Sequence, residues 1–229
     1  MGTGSKALTG VVCSAKRVTF MQKCIVVSAS RLEEDLNKQD YINGDEYIIC
    51  ADGGYDNALR LGLQPNLLVG DMDSIAALPS GVEIIPVPAE KDDTDTMLAV
   101  KLAIERGFDA ITILGGVGGR LDHLFANIQT LLYCAEHGVE AVLAGVKNSA
   151  FIIVNTTKTM QAQKDYFVSV FSLSPFSDGV TLKGLRYPLV DAHVVNSFPI
   201  GVSNEFREDT AQITVKSGTL LVILSSKKQ

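Results

Sequence analysis

The chain has 229 residues, 46% of them hydrophobic and 20% charged, which is enough apolar material for a packed core and excludes a disordered polymer. Twenty Lys and Arg against 26 Asp and Glu leave a formal charge of −6, so broad nucleic-acid binding, which feeds on counterion release, is not expected. The longest apolar runs, such as Leu220–Leu224, fall far short of the ~20 residues that span a bilayer, and no membrane helix is expected. Residues 1–20 hold Lys16 and Arg17 without an apolar stretch behind them, and read as a disordered leader or as an over-called start before Met21, not as a signal peptide.

From there to about residue 147 the sequence alternates. Cys24–Ser28, Tyr47–Ala51, Leu67–Gly70, Glu83–Pro86, Ala110–Leu114 and Ala141–Ala144 read as short buried strands, with helices predicted at 31–39, 55–61, 94–106 and 120–137. Such alternation implies a Rossmann-like α/β domain, a parallel sheet with helices on its faces and its ligand beyond the carboxyl ends of the strands. The strongest helical pattern is the last. Leu121, Leu124, Phe125, Ile128, Leu131, Leu132 and Ala135 share one broad apolar arc, beside a narrow polar stripe of Arg120, His123 and Asn127. From 148 to 229 the texture becomes short strands separated by turns: Phe151–Val154, Tyr166–Leu173, Gly179–Leu182, Asp191–Val195, Gln212–Val215 and Thr219–Leu224. This reads as a smaller all-β sandwich domain. Cysteines 13, 24, 50 and 134 are scattered without a CxxC spacing, which fits a reducing cytoplasm.

The carboxylates are not spread evenly. Asp52-Gly53-Gly54, Gly70-Asp71-Met72-Asp73-Ser74 and Asp92-Asp93-Thr94-Asp95 each follow a predicted strand, and so fall on one edge of the sheet. A single Asp there also serves as a helix cap or a turn residue. Three clusters on one edge point instead to a metal or phosphate site, and side-by-side hard oxygen ligands such as Asp71 and Asp73 suit Mg²⁺. The run Gly115-Gly116-Val117-Gly118-Gly119-Arg120 joins a strand to the best helix. It lacks the Gly-Lys-Ser/Thr ending of a P-loop and the third glycine of the dinucleotide motif, so alone it is as much a tight turn as a phosphate cradle. Arg120 adds a fixed positive charge suited to phosphate, and Asp122 and His123 open the helix behind it.

Taken in order, Asp52-Gly53-Gly54, Gly70–Ser74, Lys91–Asp95, the stretch from Gly116 to Asn127 and Gly201-Val202-Ser203-Asn204-Glu205-Phe206 resemble the signature series of thiamine pyrophosphokinases, bacterial type. The resemblance spans roughly residues 21–225. It implies an N-terminal α/β domain, a C-terminal β-sandwich, and a homodimer with sites between subunits. It also implies transfer of the pyrophosphoryl group of ATP to the hydroxyl of thiamine, giving thiamine diphosphate and AMP. Carried over residue by residue, Asp71, Asp73 and Asp95 fall on the Mg²⁺ positions. Asp52, Gly53, Gly54, Asp92, Thr94, Gly118, Gly119, Arg120, Asp122, His123 and Asn127 fall on the nucleotide and phosphate site. Ser203 and Asn204 fall beside the thiamine ring. Eukaryotic members stack a tryptophan on that ring; this chain has no Trp, and Phe206 is the aromatic nearest the Ser-Asn pair.

The residues suit the chemistry. Attack of a hydroxyl on the β-phosphorus needs charge neutralised along the triphosphate, as Mg²⁺ and Arg120 would do, and a carboxylate to take the alcohol proton, for which Asp71 and Asp95 both qualify. Two other readings stay open at this stage: a phosphatase or phosphotransferase with an aspartyl nucleophile at Asp71, and a non-catalytic thiamine or nucleotide binder.

Overall fold

In the computed structural model, residues 21–30, 32–34, 36–72, 80–88, 90 and 92–228 are described. Six short apolar segments build the first half: β1 (Lys23–Val27), β2 (Tyr47–Ala51), β3 (Leu67–Gly70), β4 (Glu83–Pro86), β5 (Ala110–Leu114) and β6 (Glu140–Ala144). They lie parallel in the order β6-β5-β1-β2-β3-β4. Both faces are covered, which is why these strands are apolar throughout and do not alternate. On one face Cys24 and Val26 of β1 pack with Ala99, Val100 and Ala103 of α2 (Asp95–Glu105) and with Leu131 and Cys134 of α3 (Leu121–Glu136). On the other, Ile25 and Val27 pack with Ala58 of α1 (Gly54–Arg60).

The second half does not start a fresh sheet. β7 (Asn148–Val154) pairs antiparallel with β6, setting Phe151 against Val142 and Ala150 against Leu143. The remaining strands are β8 (Thr157–Gln161), β9 (Tyr166–Ser172), β10 (Phe176–Lys183), β11 (Leu189–Val195), β12 (Gly201–Glu205), β13 (Thr210–Thr214) and β14 (Thr219–Ser226). The large sheet runs to ten strands by continuing β7-β14-β9-β12, and β11-β10-β13-β8 form a second, four-stranded layer. Val168, Val170 and Val222 of the first layer meet Val180, Leu182 and Ile213 of the second in a separate core. The fold is therefore α/β followed by a β-sandwich, with one layer of the sandwich continuous with the parallel sheet.

Several local expectations change. The predicted helix at 31–39 is absent from the described residues, which show only a single 3-10 turn at Lys38–Asp40 capped by the Asn37 side chain. Leu32 and Leu36 both pack in the α1-side core, so a helix-like four-residue spacing arises without a helix. In α3 the buried residues are Asn127, Thr130, Leu131 and Cys134, while Leu121 and Phe125 of the expected apolar arc are 82% and 63% exposed. The inward face is thus rotated, and Asn127 belongs to it and not to a polar surface stripe. No helix among the described residues is long and apolar enough to cross a membrane.

Candidate functional site

Where β2 and β3 end side by side, the chain makes two strained acidic turns. Asp52 follows β2 at φ 46° and Met72 follows Asp71 at φ 64°, both in the left-handed region. Asp accepts that region readily, but Met does so at a cost of about 1–3 kcal/mol, which the packing of Met72 into the α1-side core has to offset. The two turns are in direct contact. A Cβ on Gly70 would stand 3.0 Å from Cα and Cβ of Asp52, so only glycine lets the backbones approach this closely. The Asp52 N–H donates to the Val69 carbonyl at 2.8 Å, fixing Asp52 against the last turn of the neighbouring strand.

The third acidic element is held to the same edge by α2. The Thr94 hydroxyl accepts from the Met97 N–H at 3.1 Å and caps the helix, leaving Asp95 in its first turn, where a negative charge is favoured. One residue on, the buried Thr96 hydroxyl lies 2.9 Å from the Ser28 hydroxyl, and the Ser28 N–H donates to the Leu114 carbonyl at 2.8 Å. The start of α2 is therefore anchored where β1 and β5 end. Asp92 is exposed in front of it, and Asp73 lies outside the described residues.

The glycine loop after β5 turns through Gly118 and Gly119 at φ 90° and 72°, in open space that faces solvent. From beneath, the buried Asn127 amide donates to the Gly116 carbonyl at 2.9 Å, so Asn127 shapes the loop from inside the fold. Arg120 ends the loop and places its fork on Asp122, Nε to Oδ1 at 3.1 Å and Nη2 to Oδ2 at 2.5 Å. This hydrogen bonding holds the Asp122 carboxyl below, and the Arg120 guanidinium above, their ordinary values. Both side chains are exposed, so this ion pair stands at the solvent face of the loop. Asp122 also accepts from the N–H of His123, whose side chain is exposed.

Ser203 and Asn204 lie on β12, the edge strand at the far end of the same sheet. The register slips between Gly201, opposite Val170, and Asn204, opposite Val168, which is a β-bulge; Ser203 sits in it at φ 57° with its side chain outward. Asn204 is 4% exposed and its amide is engaged with backbone: Oδ1 accepts from the N–H groups of Tyr187 and Glu205, both at 2.9 Å, and Nδ2 donates to the Tyr187 carbonyl at 2.6 Å. The ring of Tyr187 is thereby held beside the bulge while remaining 58% exposed, with the Arg186 guanidinium 5.5 Å from its centroid. Phe206, by contrast, packs against the sandwich core. Tyr187, which the sequence analysis did not single out, is thus the exposed aromatic that the Asn204 amide adjoins. The sequence carried no signal for it, since Tyr187 lies 17 residues before the Asn204 that it pairs with.

Among the described residues, no three His, Cys, Asp or Glu side chains form a ready cage for a metal. The donors on the acidic edge are nevertheless hard carboxylates. They fit Mg²⁺, which commonly takes one or two protein carboxylates and completes its shell with phosphate oxygens and water.

Comparison with known proteins matches this arrangement on both halves. Residues 38–143 match the family profile described as thiamin pyrophosphokinase, catalytic domain, and residues 153–220 match thiamin pyrophosphokinase, vitamin B1 binding domain. The chain is 31% identical over 187 residues to thiamine pyrophosphokinase of Bacillus subtilis, covering 78% of this chain and 86% of that protein. The crystal structure of a Bacillus subtilis thiamine pyrophosphokinase superposes with a TM-score of 0.79 at 26% identity, over 89% of this chain and 99% of that one. That of Geobacillus thermodenitrificans gives 0.77 at 27% identity, over 90% and 99%. With two consecutive domain profiles and a relative above 30% identity over most of both lengths, the chain belongs to the thiamine pyrophosphokinase family.

Proposed function

We infer that this protein transfers the pyrophosphoryl group of ATP to the hydroxyl of thiamine, giving thiamine diphosphate and AMP. The observation that carries the reading is the convergence, on one sheet edge, of the acidic turns after β2 and β3, the capped acidic start of α2 and the glycine loop with its arginine fork. In this reading Arg120, Gly118 and Gly119 bind the phosphates through a fixed charge and free backbone N–H groups. Asp71 and Asp95, with Asp73, are the residues that would hold Mg²⁺, and when bound the ion neutralises charge along the triphosphate. Asp71 or Asp95 takes the proton of the attacking alcohol. Asp52, Asp92 and Thr94 line the nucleotide side. At the other end of the sheet, Ser203 and the exposed ring of Tyr187 receive the thiamine ring, and Asn204 keeps Tyr187 in place.

A homodimer with shared sites follows from the same reading, supported by strand order. β3 and β12 are eight positions apart, about 38 Å along the sheet at roughly 4.8 Å per strand. Thiamine is far too short to bridge its own Ser-Asn motif and its own acidic edge, and a second chain's β-half supplies the missing part. Exposed Phe198, Ile200 and Val202 beside the bulge, and Leu121 and Phe125 beside the glycine loop, offer apolar surface for that contact. The β-half also carries more Lys and Arg than Asp and Glu, complementing the acidic first half. A reducing cytoplasm suits the buried, unpaired Cys24, Cys50 and Cys134.

The decisive assay is incubation with ATP, Mg²⁺ and thiamine. AMP with thiamine diphosphate is expected; ADP with thiamine monophosphate, or no turnover, overturns the reading. For the shared site, Asp71→Asn and Tyr187→Ala chains are mixed after verified subunit exchange. Random pairing restores about a quarter of the sites, because each heterodimer holds one site with both defects and one with neither. Absence of recovery means each site is built within one chain.

A further inference from the structure

The turn from Gly145 to Lys147 joins β6 to β7 and so carries the whole β-half. It is held on several sides. Glu33, in the chain leaving β1, accepts with its carboxylate from the N–H groups of Val146 and Lys147, the latter at 3.0 Å. A Cβ on Gly145 would come within 2.9 Å of both the Asn148 carbonyl oxygen and Glu33 Oε2, so the turn is packed closely at this point. The Tyr41 hydroxyl donates to the Gly145 carbonyl at 3.1 Å, and from the β-half the Tyr166 hydroxyl donates to the Val146 carbonyl at 2.6 Å.

The other end of this bracket reaches the glycine loop. Carbonyls of Ser28 and Ser30, just upstream of Glu33, each accept from the Asn57 amide at 2.8 Å. The first residue after β5, Gly115, abuts the same carbonyls: a Cβ there would stand 2.8 Å from Ser28 O and 3.0 Å from Ser30 O. One stretch of chain thus supports the entry to the phosphate-facing loop and also fastens the connection to the β-half.

We propose that Glu33 is a positioning residue, which sets the angle at which the β-half, and with it Ser203 and Tyr187, is presented to the acidic edge that completes the site. The proposal rests on the functional reading above. Two carboxylate oxygens on two consecutive N–H groups restrain both rotation and tilt of the turn, which a single hydrogen bond would not. Glu33 acts through the Val146 and Lys147 backbone, not through contact with either substrate.

The test compares wild type with Glu33→Ala and with Tyr166→Phe, which loosens the same turn from the opposite side. Native-state amide exchange at Val146 and Lys147 is expected to accelerate about tenfold or more in Glu33→Ala, with the core amides of β1 and β5 unchanged. The KM for thiamine rises several-fold in both variants, while the KM for ATP stays close to wild type. Unchanged exchange at Val146 and Lys147, or equal changes in both KM values, overturns the proposal. A wild-type chain without activity on thiamine overturns the functional reading instead, and the exchange measurement still decides the tether.

Discussion

Lys101 holds both carboxylate oxygens of Asp93, at 2.8 and 2.7 Å, with its ammonium 5.8 Å from the centre of the Tyr133 ring. The hydrogen bond to Asp93 raises the Lys101 pKa, so the lysine is charged throughout the physiological range. Within Asp92-Asp93-Thr94-Asp95 one carboxylate is thus turned back onto α2, while Asp92 in front of it is exposed. Lys101→Met removes a positive charge and unpairs Asp93, so the Mg²⁺ concentration needed for half-maximal turnover is expected to fall several-fold, while Lys101→Arg stays near wild type. An unchanged Mg²⁺ titration for Lys101→Met would show that the pair only decorates the helix.

Gly70 is the second lever. Gly70→Ala forces the Asp52 backbone away, because the added methyl has only 3.0 Å where ordinary contact needs more. Overpacking of this kind costs about 1–3 kcal/mol. Thermal unfolding should show that modest loss, with a much larger fall in kcat from displacement of Asp52 and Asp71 together. A variant with full kcat would separate the two acidic turns from the chemistry.

For Asn204→Ala the expected signature is different. Removing a buried amide that pairs with the Tyr187 N–H and carbonyl costs about 1–3 kcal/mol through the unsatisfied groups left behind. The KM for thiamine should rise well beyond that for ATP, and Tyr187→Phe should behave nearly as wild type because the ring face is kept. Equal KM effects on both substrates would assign Asn204 to stability alone.

The parallel half was legible because strands such as Ile48-Ile49-Cys50-Ala51 are buried on both faces and therefore continuously apolar. The strands that escaped notice, β8 (Thr-Lys-Thr-Met-Gln) and β12 (Gly-Val-Ser-Asn-Glu), are both sheet edges, where half of each strand faces solvent and no apolar run is needed. The acidic turns could be named from their positions after strands. The Asn204–Tyr187 clamp could not, since it joins residues 17 apart through backbone groups that carry no side-chain pattern. The false helix at 31–39 has a similar cause: Glu33 spends its carboxylate on the turn at Val146 and Lys147, a tertiary bond invisible to local periodicity.

The buried thiols give a pH prediction. Burial pushes Cys24, Cys50 and Cys134 up to about 12, from an ordinary 9.0. A folded-state pKa raised above the unfolded one stabilises the fold fully below pH 9, and that contribution is lost as pH climbs from there toward 12. Chemical denaturation should therefore show declining stability above pH 9. Iodoacetamide at neutral pH should leave these three cysteines unmodified in the native protein and alkylate them after unfolding, as read by peptide mass spectrometry. Labelling of Cys50 without denaturant would contradict the buried assignment.

The position of β14 has a consequence for how the chain is made. β7 and β9 do not pair with each other; both pair with β14, residue by residue from Thr219 to Ser225 on one side and from Leu220 to Ser226 on the other. Until Thr219–Ser226 leaves the ribosome, the nascent β-half has a missing rung between two apolar strands, and its sandwich core lacks Leu220, Val222 and Leu224. The α/β half can complete its helices and parallel strands during synthesis, because its last strand, β6, precedes the rest of the chain by many residues. The α/β half can therefore pack before the β-half, whose large-sheet layer closes only when β14 is inserted between β7 and β9.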